Sequence, residues 1–312
     1  MDLGTVACVG AGLIGHSWAT LFSWKGYKVR LYDLDGKTLR SAFERIRGNL
    51  EFMAERGLIE PELCRESLGR VEVAGGLEEA LDGAEYVQES VYESYNVKKK
   101  VFGEMDRFAP AEAILASSTS TLKMTIIQKA TEKPGRCIVA HPWNPPHLMP
   151  LVEIIPGRQT EPETVEATRT LMSKLGKVAV VQRREVPGTI GNRLAAALWR
   201  EAIDLVYRGV ADLEDVDRAV SAGPGLRWAI LGPHLSYHLG GGRGGIEYYL
   251  KHLGPAMASR WRTLAKWTEI PPKAERKIIN GIKDMKLLRG RGVEEVARWR
   301  DEKLIELLKI LY

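Results

Sequence analysis

Cysteine is scarce in this chain: Cys8, Cys64 and Cys137 are the only three in 312 residues. They are far apart and odd in number, which excludes a disulfide framework and zinc-ligand spacing. Cys8 and Cys137 fall inside apolar runs and read as small core residues. Long hydrophobic runs are also missing. None approaches the roughly 20 residues of a membrane-spanning helix. The first residues pass straight into a strand pattern, without the basic segment and cleavage site of a signal peptide. These absences predict a cytoplasmic protein with no membrane partner. Amides are few, four Gln and five Asn, while Lys, Arg and Glu are plentiful. That balance suggests a thermophilic source. No internal repeat is evident.

The net charge is +5 and the isoelectric point about 9.0. Basic residues are interleaved with acidic ones, with no dense basic stripe and no nucleic-acid motif. The surplus suits an anionic small molecule instead. A hydrophobic content of 45% in 34.8 kDa fits a globular chain with room for two domains.

A buried-strand run, Thr5 to Val9, leads into Gly10-Ala11-Gly12-Leu13-Ile14-Gly15. An apolar helical pattern follows through Trp18, Leu21 and Phe22, closed by Gly26. A second strand, Lys28 to Tyr32, ends in Asp33. A glycine fingerprint between strand and helix, with an acidic residue at the end of the next strand, is the context of a Rossmann dinucleotide site. Gly10 allows the tight turn, Gly12 lets the backbone approach a pyrophosphate, and Gly15 lets helix and strand pack closely. The helix N-terminus favours the phosphate charge. Asp33 accepts from the adenine-ribose hydroxyls and repels a 2′-phosphate, so the expected cofactor is NAD, with Leu13 and Ile14 part of its cradle.

Further on, residues 36 to 69 read as a charged helical excursion. Tyr86 to Val91 reads as a strand. The helix beginning near Asn96 carries Lys98-Lys99-Lys100, a charge run of the kind that usually forms a solvated face. The strand Ala113 to Ala116 ends in Ser117-Ser118-Thr119-Ser120-Thr121. Ligands bind at that edge of an open α/β sheet, and Ser118 is read as a cofactor contact. The same hydroxyls serve equally well as a helix cap for Met124 to Ala130.

Residues 141 to 153, His-Pro-Trp-Asn-Pro-Pro-His-Leu-Met-Pro-Leu-Val-Glu, carry the candidate chemistry. Two apolar strand runs flank a segment stiffened by Pro142, Pro145, Pro146 and Pro150, which cannot be helical. A rigid turn between strands can bring His141 beside Glu153. A histidine oriented by a carboxylate is a general base near neutral pH. Trp143 and Asn144 are expected to face cofactor or substrate.

From Thr189 onward the pattern is helical. Asn192 lies in the first turn of a helix with Ile190, Leu194, Leu198, Ala202 and Leu205 on one face; an asparagine there is either functional or merely solvated. Gly240 to Gly245 lacks the Lys-Ser/Thr of a P-loop and reads as a mobile loop, a lid candidate. The tail, from Val293 to Leu311, reads as a packing or dimer helix. The expected fold is α/β: a Rossmann dinucleotide-binding domain over residues 1–186, then a smaller all-α domain over 187–312.

These motifs, together with Glu-Ser-Val-Tyr-Glu (89 to 93) and Pro-Gly-Thr-Ile-Gly-Asn-Arg (187 to 193), resemble the 3-hydroxyacyl-CoA dehydrogenase superfamily across nearly the whole chain. The resemblance implies that His141 is the general base and Glu153 its partner. It implies that Ser120 and Asn192 bind the substrate oxygen, that Glu93 and Lys98 contact the nicotinamide side of NAD, and that the chain dimerises through its helical domain. Gly-Pro-Gly-Leu-Arg-Trp-Ala (223 to 229) and Gly-Pro-His-Leu-Ser-Tyr-His-Leu (232 to 239) look more like the branch that oxidises free 3-hydroxy acids such as L-carnitine and L-gulonate. A free acid gives Arg227 a carboxylate to grip bidentately; otherwise Arg227 is a surface ion pair. Trp143, Trp199, Trp228 and Tyr237 form either an aromatic wall for a trimethylammonium group or core packing. Two alternatives stand beside this reading: a short-chain L-3-hydroxyacyl-CoA dehydrogenase, and a non-catalytic, crystallin-like structural protein.

Overall fold

A computed structural model describes residues 4–312. Strands β1 (Thr5–Val9), β2 (Lys28–Tyr32), β3 (Val71–Val73), β4 (Tyr86–Glu89), β5 (Ile114–Ser117), β6 (Cys137–Pro142), β7 (Leu151–Pro156) and β8 (Val178–Val181) form one sheet in the order β3-β2-β1-β4-β5-β6-β7-β8. All neighbours are parallel except β6 and β7. The central strands are apolar on both faces because helices cover both sides, as a parallel sheet requires. Val6, Cys8, Leu31 and Ile154 belong to the core on one side, and Ala7, Val9, Leu115 and Cys137 to the core on the other.

The covering helices are α1 (Leu13–Trp24), α2 (Gly36–Glu55), α3 (Pro61–Gly69), α4 (Leu77–Leu81), α5 (Tyr95–Phe108), α6 (Met124–Ile127) and α7 (Pro162–Lys174). In α1 almost every residue after Ile14 is buried through Ser23, with Trp18 stacked on Phe22 at 5.4 Å. Strand order reverses between β1 and β4, on either side of the first strand. That switch point is where open α/β sheets bind ligands, and the Gly10–Gly15 turn sits there.

Chain compactness divides the molecule into residues 1–192 with 304–309, and residues 193–303 with 310–312. The second unit is helical: most of α8 (Ile190–Tyr207), then α9 (Leu213–Ala222), α10 (Pro224–Ile230), α11 (Pro233–Gly240), α12 (Gly245–His252), α13 (Gly254–Thr263), α14 (Pro272–Asp284) and most of α15 (Val293–Leu311). Its small core joins Val206, Leu213 and Val216.

Two elements differ from the sequence reading. Gly240–Gly245 is not an irregular loop: Gly240 ends α11, Gly242–Gly244 form a 3₁₀ turn, and Gly245 begins α12. A Cβ at Gly241 would lie 1.8 Å from the Gly245 carbonyl oxygen, and one at Gly245 2.6 Å from the His238 ring. Gly241 and Gly245 are there for close packing, and Gly242 for its φ of +58°. The last helix is also not confined to the helical unit: Ile305, 1% exposed, and Leu308 pack into the first unit's core, and Lys309 donates to the Arg56 carbonyl.

Candidate active site

The dinucleotide turn follows from its glycines. Gly10 has φ +95°, and a Cβ there would meet the Ser90 carbonyl at 2.7 Å. A Cβ on Gly15 would lie 1.7 Å from the Gly10 oxygen, so helix and strand touch backbone to backbone. Gly12 faces open space, with nothing within 4 Å of a Cβ, which leaves its backbone accessible to a pyrophosphate. Leu13 is 64% exposed beside it, while Ile14 packs against the core. Asp33 Oδ2 accepts from the Ala11 amide at 2.8 Å and Oδ1 from the Asp35 amide at 3.0 Å. The carboxylate is thereby fixed at the lip of a cavity of about 890 Å³ lined by Leu34, Gly36, Leu39, Arg40 and Ala74. These residues fit an adenosine, with lone pairs of Asp33 left for ribose hydroxyls. Catalytic efficiency with NAD should exceed that with NADP by on the order of a hundredfold; comparable values in steady-state assays would refute the role of Asp33.

Next to this turn lies a buried polar cluster. Lys98 is 1% exposed, although it belongs to a lysine run. Its three ammonium donors go to Glu89 Oε1 at 2.6 Å, the Val91 carbonyl at 3.3 Å and Glu93 Oε2 at 3.4 Å. The expectation of a solvated face fails here because Lys98 shares the apolar stripe of α5 with Val101, Phe102 and Met105. Glu89, fully buried and overlooked in the sequence, accepts further from Ser117 Oγ and the Val91 amide, both at 2.6 Å.

Glu93 organises the hydroxyl cluster. Its Oε1 accepts from Thr119 Oγ1 at 2.6 Å, Thr121 Oγ1 at 3.0 Å, and the Ser120 and Thr121 amides at 3.2 and 3.3 Å. Partial burial opposes its ionisation, but the Thr119 hydrogen bond, the Lys98 ammonium and Thr121 outweigh it and hold the carboxyl below its ordinary range. The cap reading of this cluster fails: helix α6 starts after Lys123, with no side-chain cap. Ser120 is half-buried. Ser118 Oγ sits inside a network, receiving Trp18 Nε1 at 3.2 Å and Gln88 Nε2 at 2.8 Å and lying 2.8 Å from Ser90 Oγ.

His141 and Glu153 stand directly opposite one another on the antiparallel pair β6 and β7. His141 Nδ1 lies 3.1 Å from Glu153 Oε2; the side chains are 10% and 1% exposed. The Gly191 amide donates to Glu153 Oε1 at 2.8 Å, and Trp143 Nε1 to Oε2 at 3.3 Å. Burial favours the neutral acid, yet hydrogen bonds from His141, Thr189, Gly191 and Trp143 overcome it and hold Glu153 at about 2. The carboxylate is therefore ionised at any working pH, and it faces the imidazole. Asn192 follows Gly191, half-buried, with its backbone amide 3.4 Å from Thr189 Oγ1. Asn144 is exposed, at a cis peptide bond to Pro145. The intervening loop is tied down by Lys177, buried, which donates to the Pro146 and Met149 carbonyls, and by a 2.6 Å hydrogen bond between Ser17 Oγ and His147 Nδ1.

The first unit thus carries Gly10, Gly12, Gly15, Asp33, Glu93, Ser120, His141, Glu153 and Asn192. Trp143 turns to Glu153 and Gly191. Thr189 and Gly191 were missed as partners of Glu153; the Pro-Gly punctuation just before them was the available signal. Arg227 is exposed on α10 in the second unit, as are Trp199 and Trp228, while Tyr237 lies against Tyr249 at 5.1 Å. Among the described residues no group of His, Cys, Asp and Glu is arranged for a metal ion, and no helix is long and apolar enough to cross a membrane.

A glycine turn at the switch point, an acidic residue closing β2 and a fitting adenosine cavity define an NAD-dependent oxidoreductase. Comparison with known proteins narrows the class. The family model described as 3-hydroxyacyl-CoA dehydrogenase, NAD binding domain, matches residues 5–186, and that of the C-terminal domain matches residues 188–281. The chain belongs to the 3-hydroxyacyl-CoA dehydrogenase family. It is 37% identical over 308 residues to L-carnitine dehydrogenase of Streptomyces griseus, covering 99% of this chain and 90% of that one. It is 35% identical over 311 residues to the human lambda-crystallin homolog, covering 98% and 96%. A solved structure of the NAD⁺-dependent dismutase 5-formyl-3-hydroxy-2-methylpyridine 4-carboxylic acid 5-dehydrogenase superposes with a TM-score of 0.81 at 28% identity, covering 98% of this chain and 96% of that one.

Proposed function

We propose that this enzyme oxidises the 3-hydroxyl of a small free 3-hydroxy acid, carnitine-like or gulonate-like, to the 3-oxo acid. The observation that carries the reading is the His141–Glu153 pair, in register and 3.1 Å apart, beside the Gly191–Asn192 turn. NAD, when bound, accepts the hydride from the carbinol carbon. His141 Nε2 removes the hydroxyl proton, and the ionised Glu153 stabilises the imidazolium that forms. Ser120 and Asn192 hold the substrate oxygen as it becomes a carbonyl. Glu93, paired with Lys98, holds the Thr119 and Thr121 hydroxyls and the Ser120 and Thr121 amides, and in this reading Glu93 and Lys98 border the nicotinamide. Ser118 and Asn144 are the remaining cofactor contacts in this reading. Arg227 grips the substrate carboxylate, and Trp199, Trp228 and Tyr237 supply aromatic faces for a trimethylammonium group.

The L-carnitine dehydrogenase relatives support the free acid; the family's acyl-CoA enzymes support a thioester as the second reading. A homodimer through the helical unit belongs to the proposal and is supported by exposed apolar residues there, among them Leu226, Ile230, Leu250 and Trp261. NADH formation with L-carnitine, L-gulonate, 3-hydroxybutyrate and 3-hydroxybutyryl-CoA separates the readings. Turnover should be greatest with a free acid, and Arg227→Ala should raise KM for that acid while sparing any CoA ester. Turnover of the CoA ester alone would overturn the free-acid reading, and an inert panel would favour the crystallin-like alternative.

A further inference from the structure

Trp143 lies two residues beyond the base and extends the β6–β7 pairing through a 3.4 Å hydrogen bond from its amide to the Leu151 carbonyl. Its indole does two things at once. Nε1 donates at 3.3 Å to Glu153 Oε2, the same oxygen that meets His141 Nδ1 at 3.1 Å. The ring also fills the space over Gly191: a Cβ there would come within 2.8 Å of Trp143 Cζ2 and 3.1 Å of Cε2 and Nε1. Gly191 in turn donates its amide to the other carboxylate oxygen of Glu153.

We propose that Trp143 is a positioning residue for the dyad, its N–H fixing the Glu153 carboxylate and its ring fixing the first turn of α8 that carries Asn192. The inference rests on His141 as the base. A carboxylate's terminal torsion is soft, so a single histidine contact does not define its plane. Donors from β6, from the segment after it and from the α8 N-terminus do. The groups acting on Glu153 are His141, Trp143, Thr189 and the Gly191 amide; its β8 neighbour, Val180, is apolar. His141 Nδ1 and Trp143 Nε1 meet on the same oxygen, Oε2, so the imidazole and the indole share one acceptor.

Trp143→Phe keeps an aromatic ring but deletes the N–H and the atoms that reach Gly191. With the best substrate of the panel, the acid limb of kcat/KM against pH should move to higher pH by about half a unit, because the indole no longer shares Glu153 Oε2 with His141. The KM for NAD should not change. Gly191→Ala should lower kcat by about ten- to a hundredfold, the cost of displacing a reacting group by a fraction of an ångström or more. In the double variant the methyl fits the space the indole vacated, so the loss should be no worse than with Trp143→Phe alone. The midpoint of a pH limb does not depend on how much enzyme is folded, which keeps the test valid if a variant is less stable. An unmoved limb, or additive losses in the double variant, overturns the proposal. His141→Ala in the same series isolates the premise: if it still turns over, the base assignment itself fails; if it is dead while Trp143→Phe keeps the parent profile, only the role of Trp143 fails.

Discussion

His141→Ala should lower kcat by about 10²–10⁴-fold, the range typical of losing a general base, while NADH affinity measured by fluorescence titration stays within about twofold of the parent enzyme. The separation follows from where the parts sit. The dinucleotide turn is built from β1, α1 and Asp33, whereas His141 stands on β6 and spends its Nδ1 on Glu153. Removing the imidazole leaves the glycine cradle untouched. It also leaves Glu153 with its Gly191 and Trp143 donors, so the carboxylate keeps partners and the fold should survive. Glu153→Gln should fall between the two enzymes: the amide preserves an oxygen for Nδ1 but removes the negative charge that stabilises the imidazolium. Equal turnover by His141→Ala and the parent would refute the base assignment.

The second large effect concerns stability. Lys98→Met should cost about 3–5 kcal/mol in urea unfolding, the usual penalty for stranding one member of a buried ion pair. Glu89 would keep the Ser117 hydroxyl and the Val91 amide, so the lower end of that range is expected. Lys98→Met combined with Glu89→Leu should recover much of the loss, because two apolar groups replacing a desolvated pair are often neutral or better. The exposed Arg169–Glu166 pair, 49% and 62% exposed, is the contrast: Arg169→Ala should change stability by less than ~1 kcal/mol. A Lys98→Met variant as stable as the parent would mean that burial costs the ammonium as much as its three partners return.

The features legible in the sequence were those with a strict local signature. Gly10, Gly12 and Gly15 are dictated by backbone approach, and Asp33 by its place at the end of a strand. The proline-stiffened turn made the meeting of His141 and Glu153 readable, since prolines leave a short connection few other paths. What stayed hidden depends on tertiary packing. Glu89 is a carboxylate within a buried strand, and only the arrival of Lys98 from α5 makes its burial tolerable. The lysine run masked that arrival: sequence gives charge, but the inward stripe of α5 decides which lysine is swallowed. The glycines at 240–245 suggested mobility from composition, whereas Gly241 and Gly245 stand where backbone meets backbone or a ring, and Gly242 where φ is +58°. Trp143 looked like a substrate wall because aromatics near a site usually are; its N–H found the carboxylate instead.

Residues 304–309 complete the first unit's core although they are made more than a hundred residues after its main segment ends at Asn192. During synthesis the nucleotide-binding half therefore emerges with an uncovered apolar groove where Ile305 and Leu308 will lie. Burial of a side chain like Ile305 contributes on the order of 2 kcal/mol or more, so that half gains this increment of stability only after residues 304–309 have been made. A chain cut before residue 304 should therefore unfold at lower urea than the full chain, which equilibrium unfolding of the two would check.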